Sequence, residues 1–210
     1  MTAPSFLYLA SRSPRRRELL KQAGIPFCLL DIEVDESVLP GEPATDYVER
    51  LARKKAASAW KALSAAGVKE QAPVLAADTT VALGADIMGK PETEQQAVQM
   101  LMQLQKQVHS VHTGIALCYG GNIETRVVTT IVRFSEFSQD IAEQYVKTGE
   151  PMDKAGAYGI QGFGGVLVAG IEGSYSNVVG LPVQETVELA RLFNVPFWQK
   201  PADEGDGQRL

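Results

Sequence analysis

The sequence predicts an α/β fold built on a mixed sheet, and three observations carry that prediction. FLYLA (6–10), PFCLLDI (26–32) and PVLAA (73–77) are short apolar runs with the length of buried strands. Between them lie stretches whose apolar residues recur every three or four positions, the period of a helix packed on one face. The segment TGIALCYGGNIETRVVTTIVRF (113–134) reads as two strands around Gly120-Gly121-Asn122, a hairpin pattern. Strands alternating with helices, plus one antiparallel hairpin, define the class.

Taken in order, the first strand is FLYLA. Ser13 then supplies a hydroxyl cap, and Pro14 fills the first helical position, where its missing N–H costs nothing. That helix runs to about Ala23, with Gly24 as its stop and Pro26 beyond. The second strand, 26–32, leads into the acidic loop VDESVLPGEP (34–43). A long helix over 44–66 follows, closed by Gly67, with Val48, Leu51, Ala52, Ala56, Ala59, Trp60 and Leu63 along its apolar stripe. PVLAA is the third strand, and DTTVALGADIMGKP (78–91) is a strand and hairpin turning at Gly84. Thr93 and Gln96 form a capping-box pattern for a helix holding Ala97, Met100, Leu101 and Leu104. After the hairpin, Ser138 caps a helix ending near Gly149. DKAGAYGIQGFGG (153–165) is a glycine-rich loop, followed by a strand near 166–168. Pro182 opens a last helix to about Phe193, and the polar tail 200–210 is expected to be disordered.

The 210 residues suit one domain, 1–199, of two lobes. A net charge of −5 supplies no basic field, so no stable nucleic-acid partner is expected. No apolar run approaches the roughly 18 residues of a membrane span and no leader pattern is evident, which reads as a cytoplasmic chain without a membrane partner. Cys28 and Cys118 fit neither a disulfide framework nor a zinc site and are expected to be buried thiols. His109 and His112 lack a third ligand nearby and read as structural or surface residues.

Several features break local rules. Arg15, Arg16 and Arg17 occupy the first turn of a helix, whose partial positive charge ordinarily favours acids. Unpaired backbone N–H groups there, with bidentate arginines, fit phosphate oxygens; solvated arginines paired with Glu18 are the plainer alternative. Lys55 falls within the apolar stripe of the long helix, where it either snorkels to the edge or points its ammonium into a cleft, whereas Arg53, Lys54 and Lys61 read as surface. Asp78 directly follows PVLAA, and the carboxyl end of a strand is where open α/β sheets bind ligands. With Glu36 or Asp35 it could hold a divalent metal, or it could simply cap local backbone. Lys90 sits on a turn between Gly89 and Pro91. The glycines of 156–165 would let backbone approach a flat ligand, or mark a flexible turn.

These same residues carry a resemblance. LASRSPRRREL, VDES, YVERLARKKA, AADTTV, GKP, DKAGAYGIQGFGG and VVGLP, in that order over residues 6–193, resemble the Maf family of nucleoside triphosphate pyrophosphatases. The resemblance implies a two-lobed α/β fold with a deep central cleft, related to the inosine triphosphate pyrophosphatases. It implies hydrolysis between the α and β phosphates, giving a monophosphate and pyrophosphate. By motif position, Ser11, Ser13, Arg15 and Arg16 form the phosphate-binding turn. Glu36 is a metal or catalytic carboxylate, Lys55 and Lys90 bind phosphate, and Asp78 is the general base. A divalent cation, Mg²⁺ or Mn²⁺, is implied at Glu36 and Asp78. ADTT and AGAYGIQG resemble the branch acting on dTTP and UTP, in which Arg15, Thr79 and Gln161 would set substrate choice. A Gln amide donates and accepts at once, which suits the imide edge of uracil or thymine.

VDES is also similar to the branch acting on 7-methyl-GTP, and Arg12 stands where members usually carry a small residue. Gln105-Lys106 likewise replaces the Ser-Gly common before the hairpin. The alternatives are therefore a 7-methyl-GTP pyrophosphatase of the same family, or a non-catalytic nucleotide- or nucleic-acid-binding regulator of cell division. A homodimer is a family-level expectation.

Overall fold

The structure is a computed structural model that describes residues 3–68 and 72–200; the tail from 201 onward lies outside the described residues. Strand β1 (Leu7–Ala10) leads into α1 (Pro14–Gln22), which Ser13 caps by accepting from the Arg16 amide. Strand β2 (Phe27–Leu30), helix α2 (Ala44–Ala65), and strands β3 (Val74–Leu83) and β4 (Asp86–Met88) follow. Helix α3 (Glu94–Leu104) is capped by Thr93, but the Gln96 side chain accepts from the Glu92 amide, one residue outside the reciprocal box. Strands β5 (Val108–Tyr119) and β6 (Asn122–Phe134) form the hairpin, five residues longer at its start than the sequence pattern indicates. Gly120 and Gly121 turn it with φ of +61° and +85°, the left-handed pair that a tight hairpin twist requires.

Helix α4 (Gln139–Val146), capped by Ser138, is followed by three short 3₁₀ turns spanning residues 150–167. Strand β7 (Val168–Glu172), helix α5 (Tyr175–Val179) and helix α6 (Val183–Leu192) complete the described chain. The strand expected near 166–168 begins where that expectation ends, because 163–167 coils into a 3₁₀ turn. Helix α5 is not legible from periodicity, being only five residues long. Pro182 is the residue before the last helix and not its first.

The seven strands form one sheet in the order β2-β1-β3-β5-β6-β7, with β4 paired to β3. β1 runs parallel to β2 and β3, and the other pairs are antiparallel, so the sheet is mixed as expected. β2 lies at an edge, which leaves Cys28 exposed and corrects the expectation of two buried thiols; Cys118 is buried. Along β3, Leu75 and Ala77 pack with α1 and α6 on one face, while Val74 and Ala76 pack with α2 on the other. Val81 belongs to a separate apolar cluster with α3 and α4. Residues 78–80 fall between these cores.

The same stretch lies at a gap in strand pairing. β1 pairs with β3 only up to Ala10↔Ala76, and β4 joins from Met88↔Val81. Asp78 therefore sits in the middle of a ten-residue strand, not beyond its end. The expectation that it follows the strand's carboxyl end is corrected: the end that matters belongs to the parallel neighbour β1, where the chain turns away at Ser11.

Candidate active site

A cleft of about 810 Å³ opens at this gap. Ser11, Ser13, Arg15, Arg16, Glu36, Lys55, Asp78, Thr79, Lys90 and Gln161 all line it. Strand alternation sends Asp78 toward α2 and Thr79 toward α1 and α5. Gly114, paired with Asp78 across β5, lets α2 settle onto the sheet: a Cβ there would lie 2.4 Å from the Val48 carbonyl oxygen. That close approach brings Lys55, two turns further along α2, over Asp78.

Lys55 Nζ sits 2.6 Å from Asp78 Oδ1 and 2.5 Å from Glu36 Oε1, so one ammonium joins the two carboxylates. The inward reading of Lys55 holds. Burial separates the two acids, since 11% of the Asp78 side chain is exposed against 49% for Glu36. Burial pushes the Asp78 carboxyl above the usual carboxylate range despite the opposing charges of Lys55 and Arg16. Burial also pulls Glu36 upward, but the hydrogen bond and charge of Lys55, with Lys90 and Arg16, outweigh it and hold Glu36 below that range. Two neighbouring carboxyls driven in opposite directions are the pattern of an acid–base pair with divided roles.

The arginines divide as well. Arg16 Nε donates to the Gly180 carbonyl at 2.7 Å, Nη1 to Ser11 Oγ at 3.1 Å and Nη2 to Thr79 Oγ1 at 3.1 Å. Burial lowers its pKa from the ordinary value. Much of its donor fork thus ties the start of α1 to β3 and to the turn before α6. Arg15 points toward Asp153 Oδ2 at 4.0 Å. Arg17 reaches back to the Arg12 carbonyl. Arg12 turns outward to Asp31 and Glu33, both at 2.6 Å, which offsets much of the extra cation beside the turn. The Thr79 hydroxyl lies 2.9 Å from Thr113 Oγ1, in addition to its bond from Arg16.

Pattern reading missed how α2 holds the acidic loop. Tyr47 Oη donates to the Glu36 carbonyl at 3.0 Å, Arg50 Nη2 to that of Ser37 at 3.0 Å, and Lys54 Nζ to that of Asp35 at 3.1 Å. Lys54 is therefore a loop anchor and not simply a surface charge. Burial, with the charges of Asp78 and Glu36, pushes the Tyr47 phenol up to about 12, so it remains a donor at neutral pH. The spacing 47, 50, 54 on one helix face is the signal that could have found this grip. His109 is buried, with Nε2 2.8 Å from Tyr158 Oη, which fits its structural reading. Among the described residues no group of three or more His, Cys, Asp or Glu converges, and no helix is long and apolar enough to cross a membrane.

A mixed-sheet α/β protein whose cleft joins two carboxylates to several cations is of the kind that handles phosphorylated ligands. The Maf-like protein family is matched over residues 6–193, and the chain belongs to that family. It is 51% identical over 185 residues to the dTTP/UTP pyrophosphatase of Methylobacillus flagellatus, covering 88% of this chain and 91% of that protein. To the dTTP/UTP pyrophosphatase of Myxococcus xanthus it is 51% identical over 193 residues, covering 92% and 95%. To that of Alcanivorax borkumensis it is 46% identical over 194 residues, covering 92% and 98%.

Proposed function

We propose that this chain hydrolyses dTTP and UTP to the monophosphate and pyrophosphate in the cleft at Asp78. The observation that carries the reading is the Glu36–Lys55–Asp78 junction beside the α1 turn. Relatives at this identity, named for the same activity, support the substrate.

Asp78, the more buried of the two carboxylates, takes the proton from a water whose oxygen attacks the α-phosphorus. The bond from the α-phosphorus to the bridging oxygen breaks, and pyrophosphate leaves with that oxygen. Lys55, Lys90 and Arg15 offset the charge that builds on the leaving phosphates, and Arg16 contributes its remaining donors while bracing the turn. Ser11 and Ser13 shape the same turn. Glu36 and Asp78 fit a hard cation of the kind that takes one or two carboxylates and completes its shell with substrate oxygens. Mg²⁺ or Mn²⁺ held there would supply Lewis-acid polarisation of the α-phosphoryl group. Arg15, Thr79 and Gln161 set the base, with the Gln161 amide facing the imide edge.

The test is pyrophosphate release from dTTP, UTP, CTP, dCTP, ATP, GTP, ITP and 7-methyl-GTP, with Mg²⁺ or Mn²⁺ and with a chelator. Release from dTTP and UTP, lost on chelation and restored by either metal, is the expected result. Release chiefly from 7-methyl-GTP would keep the chemistry and overturn the base assignment. No release from any nucleotide would remove the catalytic reading.

A further inference from the structure

We propose that Glu150 is a positioning residue for base recognition, anchoring the loop that presents Gln161; this rests on the pyrophosphatase reading above. Gln161 is exposed on the cleft wall, and its side chain takes no protein partner among the described residues. Its position is therefore set by backbone alone. That backbone is tied down on both sides of Gln161. Glu150 Oε2 accepts from the Phe163 amide at 2.9 Å, and Oε1 accepts from the Gly164 amide at 3.1 Å. Oε1 also accepts from Tyr145 Oη at 2.8 Å, and that hydroxyl accepts from the Gly159 amide at 3.1 Å. One carboxylate and one hydroxyl thus hold amides two residues before and two and three residues after Gln161.

The glycines of this stretch find their reason here. A Cβ on Gly162 would lie 2.0 Å from Glu150 Oε2, and one on Gly164 would lie 2.5 Å from Tyr145 Oη. The backbone is wrapped closely on this hub, so the sequence expectation that these glycines admit a ligand acquires an internal explanation. Burial pulls the Glu150 carboxyl upward, but the Gly164 and Phe163 amides, Tyr145 and Lys154 hold it below the usual range, so it accepts as a carboxylate. Lys154 Nζ bonds both the Glu150 carbonyl and Asp153 Oδ1, and Asp153 faces Arg15. That link to Arg15 runs through the Glu150 backbone carbonyl and does not need its carboxylate, so the carboxylate acts on the loop of Gln161 alone.

Glu150→Gln keeps the volume but turns an NH₂ group toward one of the loop amides, donor against donor. Steady-state rates are measured with dTTP, UTP and dCTP. The expected result is a rise of about tenfold in KM for dTTP and UTP, with kcat within about twofold and a matching fall in preference over dCTP. In a Gln161→Ala background the same change should leave that preference unmoved, because both substitutions act through one side chain. An equal loss on every nucleotide, or an undiminished preference, would overturn the proposal. Should Glu150→Gln fail to fold, Tyr145→Phe removes a single hydroxyl and is expected to act in the same direction. Amide hydrogen exchange reads the anchor without any substrate: faster exchange at Phe163 and Gly164 supports it, and unchanged exchange overturns it. If the parent turns over neither dTTP nor UTP, the pyrophosphatase reading falls by itself, and exchange still decides the loop.

Discussion

His109 makes acid stability a quantitative test of the packing beneath the cleft. Its ring is 2% exposed and meets Phe134 and Tyr158 edge-on. Nε2 bonds Tyr158, while Nδ1 is buried without a partner among the described residues. Burial pushes its pKa down to about 4 from 6.5. Above pH 6.5 the imidazole is neutral in both the folded and unfolded chains. Between pH 6.5 and about 4 the unfolded chain binds a proton that the folded chain refuses, so stability falls as pH drops through that window. The gap amounts to about 3 kcal/mol in full and about 2 kcal/mol at pH 5. His109→Phe keeps a ring in place and removes the titration. It also leaves the Tyr158 hydroxyl unpaired, at a baseline cost of about 1–2 kcal/mol. The assay is therefore chemical denaturation of parent and variant at pH 7.5 and pH 5, comparing the change within each. The carboxylates that titrate in the same range are common to both proteins and cancel. The parent is expected to lose about 2 kcal/mol more than the variant on acidification. Equal losses would show that the buried imidazole is not what makes the fold acid-sensitive.

Other outcomes follow from the site itself. Asp78→Asn should cut pyrophosphate release about 10²–10⁴-fold while thermal denaturation stays cooperative, and a fully active variant would remove Asp78 as the base. Gln161→Ala should raise KM for dTTP and UTP with little change in Tm; unaltered discrimination among the bases would refute its role. Gly114→Ala places a methyl 2.4 Å from the Val48 carbonyl and forces α2 away from the sheet. It should cost about 1–3 kcal/mol in denaturation and weaken turnover by displacing Lys55 from Asp78, and a neutral result would mean α2 need not sit so close.

The elements that the sequence made legible are those whose causes lie close together along the chain. Ser13, Thr93 and Ser138 cap their helices through amides three residues on, and Gly120-Gly121 turns its own hairpin. Lys55 could be placed inward because a helical stripe is a local pattern, and the family motifs brought together residues that do share one cleft. Strand ends were harder to place: PVLAA and DTTVAL are one strand, since a continuous strand and two short ones share the same local composition. What only the tertiary structure decided rests on contacts that no window of sequence contains. Asp78 meets a lysine 23 positions earlier, and Arg16 donates to a carbonyl 164 positions later. The partition of charge follows from that geometry, because burial and an ammonium shared by two carboxylates set which acid is raised and which is lowered. Glu150 gave no sequence signal at all: an acid after a helix is ordinary until the loop it anchors folds back over it. Local propensity names the parts, and long-range hydrogen bonding and burial decide what each part is able to do.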